Sequence, residues 1–187
     1  APGQQGAPHV GTFATKDTAA INGYLKRADI KALLPANLAN IRFAWGKTNA
    51  KTPDVTDLYA LKGTRDNVAP LSGGVIVDAR DTFDQLGKPA VSMQMNGNGS
   101  RKWEQITGAV SQQGNAIAIV LDNIVYSAPG VSKGAITGGQ SEISGNFTID
   151  ETKDLANILR AGKLPAAAEI VQSEVVGPSL GDRKSVV

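Results

Sequence analysis

The stretch Gly134-Ala-Ile-Thr-Gly-Gly-Gln-Ser141 has glycines and a terminal hydroxyl close to the spacing of a phosphate-binding loop, with Gln140 where such a loop places lysine. Phosphate binding needs converging backbone amides, a neutralising cation and a helix that begins at once, so that its positive end adds to the field. Gln140 carries no charge, Glu142 repels an anion, and the next helix-start signal is Thr148. The segment therefore reads as a glycine-rich turn followed by a strand. A nucleotide-binding or enzymatic domain built on residues 134–141 is the rival reading.

The other groups capable of chemistry are scattered. The single histidine, His9, sits in a Gly- and Pro-rich leader, and Asp78, Arg80 and Asp81 read as a surface ion-pair cluster. Asp150, Glu151 and Asp154 fit the acidic first turn of a helix. Residues 97–100, Gly-Asn-Gly-Ser, lack the oxygen-ligand alternation and closing glutamate of a calcium loop, so no metal or other cofactor is expected. With no cysteine in the chain, disulfides, thiolate nucleophiles and zinc knuckles are excluded.

Apolar candidates remain. Met93 and Met95 are adaptable side chains of the kind found on promiscuous binding surfaces, and Val125, Tyr126, Ile136 and Phe147 are placed with them as the lining of a groove. The competing reading is that this period-two methionine stripe is core. Two chain crossings form a second set: Leu71, Ser72, Gly73 and Gly74 on one side, Gly162, Lys163, Leu164 and Pro165 on the other. Both pair pliable glycine with stiffer neighbours, as a hinge would, and the competing reading is a static structural junction.

The elements that must position these residues follow from periodicity. A helix is expected from Thr15, capped by that residue, with Ile21, Tyr24, Leu25 and Ala28 on one face. Ile41–Trp45 and Leu58–Leu61 pair as strands, and residues 67–74 turn the chain into a second unit. There, residues 91–95 alternate as a strand, Gly97–Ser100 leads into a helix striped by Trp103, Ile106 and Val110, and Ala116–Leu121 turns at Asp122-Asn123 into Ile124–Tyr126. Thr148 and Glu151 form a capping box ahead of Leu155, Ile158 and Leu159, and residues 170–176 supply a last strand. From residue 90 the order is strand, helix, strand, strand, helix, strand. That fits a ferredoxin-like split unit, or two packed sheets if the last strand leaves it.

Composition bounds the partners. The 187 residues carry 19 Lys and Arg against 17 Asp and Glu, and 5% aromatics, which argues against nucleic acid. No apolar run approaches the length of a membrane span. APGQQGAP at the start reads as linker and GDRKSVV at the end stops without a capped element, consistent with a fragment of a larger protein.

The ordered motifs LDNIVYSAPG, AITGGQSEISGNFT, DETKDLANILRAGKLPAAAEIV and VVGPSLG, preceded by DARDTFDQLGKPAVSMQMN and SRKWEQIT, resemble the large first extracytoplasmic domain of the SecD family. The likeness runs from about residue 71 to 181. The looser match before it is closest to versions in which SecD and SecF are fused. Asn123 departs from the family's usual glycine, and Gly130 from its β-branched residue. The resemblance implies an α+β protein: a leader (1–14), a ferredoxin-like base (15–70), a protruding α+β head (71–163), a return strand to the base (164–181) and a tail towards a membrane helix (182–187). It further implies a noncatalytic domain on the periplasmic side of the bacterial inner membrane, held by transmembrane helices outside this sequence. Unfolded preprotein, SecF and the SecYEG channel are its implied partners, and proton-gradient-driven export its implied function. A purely structural docking platform for Sec subunits is the alternative within that family.

Overall fold

The computed structural model describes residues 9–34, 40–49, 51–62, 69–131, 134–145, 147–161 and, for the backbone, 168–174. The chain is α+β, with ten strands in two sheets and four α-helices among these residues.

The larger sheet has the order β1 (Gly11–Ala14), β3 (Val55–Lys62), β2 (Ile41–Gly46), β8 (Ile124–Ser127), β7 (Ala116–Leu121), β10 (Ala168–Glu174), β4 (Leu71–Ser72). Because β10 also pairs antiparallel with β3, strands β3, β2, β8, β7 and β10 close into a ring. A five-strand ring has little interior volume, and one cluster of small and medium residues, Ala44, Leu61, Ala118, Val120 and Val125 from these strands with Ala128 just past β8, is packed together. On the other face of β2, Trp45 stacks edge-on against Phe13 and donates its Nε1–H to Asn22 Oδ1 at 2.9 Å, which ties α1 (Thr18–Leu25) to the sheet.

Strand β7 is buried along almost its whole length because both of its faces are covered. Ala118 and Val120 face the ring, while Ile117 and Ile119 enter a second core. This accounts for the unbroken apolar run that alternation alone would not produce. The hairpin to β8 turns on Asp122 and Asn123 at φ 48° and 64°, the left-handed pair expected there; Asn tolerates that geometry better than most residues with a side chain.

The smaller sheet is antiparallel, ordered β5 (Ile76–Phe83), β6 (Pro89–Met95), β9 (Gln140–Ser144). One face is covered by α4 (Ile149–Ala161), whose Leu155, Ala156 and Leu159 pack with Ala79, Val91, Met93 and Ile143. Trp103 and Val110 of α3 (Gly97–Gln113) complete this core. Burying each of these leucines contributes about 1.5–3 kcal/mol, more than local helix propensity supplies.

The strands do divide between two sheets, but not as expected: the last strand, β10, stays beside β7 in the ring, and it is β6 that separates, joining β9 in the small sheet. Three local expectations are corrected. Thr15 does not cap a helix; it opens a 3-10 turn, and its hydroxyl donates to Pro53 O at 2.7 Å, a tertiary partner winning over a local one. The expected single helix breaks at Arg27, so Ala28 starts a separate α2 (Ala28–Ala32), and Tyr24 is exposed. Residues 97–100 do not lead into a helix but form its first turn, capped by Asn96, whose side chain accepts from Gly99 N–H at 2.8 Å.

Candidate functional site

The glycine-rich segment is a tether that follows β8, is held against α3, and leads into β9. Gly134, Gly138 and Gly139 have φ of 79°, 81° and 74°, so the chain folds back on itself and enters a strand, where a phosphate loop would enter a helix. Gly139 is required twice over. A Cβ there would meet Ser100 Cβ at 3.1 Å and Met95 O at 3.3 Å, and the Gly139 carbonyl accepts from Met95 N–H at 2.8 Å. Thr107, fully buried on α3, anchors the middle of the tether: its Oγ1 accepts from Ile136 N–H at 2.8 Å and donates to Trp103 O at 2.7 Å.

The predicted apolar residues divide between surroundings. Met93 and Met95 are 1% and 4% exposed and belong to the core beneath the small sheet. Val125 is equally buried but lies in the ring cluster. Tyr126, Ile136 and Phe147 are half-buried and pack against the Met93 core from its rim. The structure thus brings five of the six to one core, and the three that reach solvent are its rim. A surface concavity of ≈ 580 Å³ runs along α3, lined by Arg101, Glu104, Gln105, Gly108 and Ala135 among others, and includes none of the six.

Of the crossings, Leu71 is buried and pairs with Ile170, while Ser72 pairs with Glu169, so this part of the chain is bonded to β10. Gly73 and Gly74 continue into a 3-10 turn. Gly162, Lys163, Leu164 and Pro165 lie outside the described residues.

Among the described residues, the polar groups singled out in the sequence do not converge. Arg80 Nε donates to Asp78 Oδ2 at 2.7 Å on the solvent face of β5, whereas Asp81 is on the opposite side of the strand. Asp150 and Glu151 occupy the first turn of α4, and Thr148 and Glu151 make the expected reciprocal cap: Thr148 N–H donates to Glu151 Oε2 at 2.8 Å and Glu151 N–H to Thr148 Oγ1 at 3.2 Å. His9 rests on the Tyr59 ring, 6.1 Å between centroids. Burial, with a smaller contribution from the Asp57 charge, pushes the Tyr59 phenol up to about 12. No group of three or more His, Cys, Asp or Glu among the described residues is arranged to hold a metal ion.

The features missed by sequence reasoning are β1, β5 and the edge of β9; residues 11–14, expected as part of the leader, form a strand paired antiparallel with β3 because that strand offers them backbone partners. In β5 a bulge between Ile76 and Asp78 breaks the period-two signal, so buried Ile76 and Ala79 fall out of step.

A helix-backed antiparallel sheet beside a closed ring of strands, with its charged groups spread over the surface, defines an α+β domain in which surfaces outweigh pockets. The chain belongs to the SecDF family: residues 57–166 match the family model described as SecDF, P1 head subdomain. It is 42% identical over 177 residues to the protein translocase subunit SecD of Rhodothermus marinus, covering 92% of this chain and 27% of that protein. It is 41% identical over 111 residues to the protein translocase subunit SecDF of Thermus thermophilus, covering 59% of this chain and 15% of the relative. Among solved structures, SecDF in a super-membrane-facing form is similar at 27% identity, with a TM-score of 0.47 over 88% of this chain and 25% of that one. The structure of a membrane component SecDF that enhances protein export is similar at 28% identity, with a TM-score of 0.45 over 91% of this chain and 75% of that one. The chain therefore spans about a quarter or less of these curated relatives, which are subunits of a protein translocase. No helix among the described residues is long and apolar enough to cross a membrane.

Proposed function

We propose that this chain is the noncatalytic first extracytoplasmic domain of a Sec-translocon accessory subunit, which contacts translocating preprotein on the periplasmic side and assists proton-gradient-driven export. SecF and the SecYEG channel are its partners in the full-length protein, and transmembrane helices outside this sequence hold it at the inner membrane. The observation that carries this reading is the match to the P1 head over residues 57–166, which contains the whole small sheet with α3 and α4. Residues 71–163 act as the head and residues 15–70 and 164–181 as the base; the two share the ring, where β7 and β8 pair with β10 and β2, so any reorientation at the crossings 71–74 and 162–165 has to open that ring. The half-buried rim of Tyr126, Ile136 and Phe147 offers apolar contact, with Met93, Met95 and Val125 supporting it from beneath.

A grip on unrelated chains must be weak and tolerant of sequence. Apolar burial contributes about 25 cal/mol per Å², and ordering an unfolded segment offsets much of it. An unfolded, apolar preprotein segment is expected to shift head resonances of the isotope-labelled chain in fast exchange. Absence of any shift with several such segments at high concentration overturns the reading. Crosslinks in intact membranes that reach channel subunits and never preprotein favour a docking platform instead.

A further inference from the structure

We infer that the outer edge of β9 is a strand-addition site, where an extended polypeptide segment pairs through its backbone and extends the small sheet to four strands. The inference rests on the preprotein-contact reading above and gives it a binding mode.

The direction of each backbone group follows from the ladder. Met95 N–H donates to Gly139 O, in register with Met93↔Ser141 and Val91↔Ile143. Bonded pairs alternate along an antiparallel ladder, so residues 139, 141 and 143 face β6, and the N–H and C=O groups of Gln140, Glu142 and Ser144 face away from it. Among the described residues β9 has no second neighbour in its sheet, and all three of these residues are exposed.

The opposite edge of the same sheet differs. Asp84 N–H donates to Lys88 O at 2.8 Å, which turns the backbone groups of Ala79, Asp81 and Phe83 outward. There α4 packs against β5, Ala79 is 1% exposed, and a bulge and three charged side chains interrupt the strand. These are the usual guards of a sheet edge. β9 has none of them save Glu142: it runs five residues in unbroken register with no Pro, Gly or Lys.

Chemistry selects the occupant. A row of alternating donors and acceptors about 17 Å long matches one ligand class, an extended peptide backbone, and is indifferent to its side chains. That indifference is what a protein contacting many unrelated unfolded chains requires.

The test uses the isotope-labelled 187-residue chain, a short unstructured peptide of alternating Val and Thr, and the same peptide N-methylated at alternate residues. Amide shifts centred on residues 140, 142 and 144 are expected with the first peptide, and about a tenfold weaker affinity with the second, the loss that goes with removed hydrogen bonds. Glu142→Pro removes an outward N–H without removing a ladder bond, and is expected to weaken binding similarly at unchanged melting temperature. Should that variant unfold, the N-methylated peptide decides alone. Equal affinity for both peptides, with shifts away from β9, overturns the edge site and leaves preprotein contact standing. No binding of either peptide overturns both, and concentration-dependent pairing of two copies through β9 that peptide does not compete away overturns the peptide assignment.

Discussion

Thr107 Oγ1 accepts a hydrogen bond from Ile136 N–H, 29 residues away, at 2.8 Å inside the protein. Through this contact a single buried hydroxyl fixes the tether that delivers the chain into β9. Thr107→Val keeps the shape and removes the acceptor, leaving a part-buried N–H without its partner. The expected loss is about 1–3 kcal/mol, read as a lower urea midpoint at unchanged slope, with amide exchange accelerated at residues 134–139.

Gly138 and Gly139 are adjacent and both left-handed, but they differ in their surroundings. Nothing lies within 4 Å of a Cβ built on Gly138, whereas one on Gly139 meets Ser100 and the Met95 carbonyl. Gly138→Ala is expected to cost about 1–2 kcal/mol, the backbone term alone. Gly139→Ala is expected to cost more, because about 1–3 kcal/mol of overpacking adds to the same term. Thermal unfolding of the pair checks the order, and equal losses refute the packing argument.

Met93 is 1% exposed at the centre of the core under the small sheet. Met93→Ala is expected to destabilise the protein by about 2–5 kcal/mol through the cavity it leaves. If its part in polypeptide contact is only to support the rim, the affinity of the still-folded variant at low temperature changes little. Calorimetric unfolding and a peptide titration, run on the same sample, separate the two effects.

The Tyr59 phenol has its pKa raised from about 10 to about 12, first by burial and then by Asp57. A raised folded-state value means that the folded protein holds this proton more tightly than the unfolded chain does. The stability so gained is fully present below pH 10 and is lost as pH rises through 12. Tyr59→Phe is expected to flatten that alkaline limb, measured as the melting temperature across pH 9 to 12.5, with phenolate absorbance reporting the titration directly.

Local signals in the sequence were reliable where the physics is local. The Thr148 and Glu151 cap and the Asp122-Asn123 turn need only a few neighbouring residues, and both formed as expected. Ordered motifs also carried the family, because several in the right order are far more specific than any one glycine pattern. Thr15 shows the limit: its hydroxyl had a plausible local partner and took Pro53 O, 38 residues away.

By itself, then, the sequence determined the Asp122-Asn123 turn, the Thr148 cap, the α+β class and the family. Only the tertiary structure decided that β10 would close a ring by pairing with β3, that Met93 would lie under α4, and that β9 would keep one side unpaired. The reason is that strand neighbours are chosen by contacts between distant segments: periodicity shows which face of a strand is buried, while what lies beside its edge depends on where the rest of the chain has already packed.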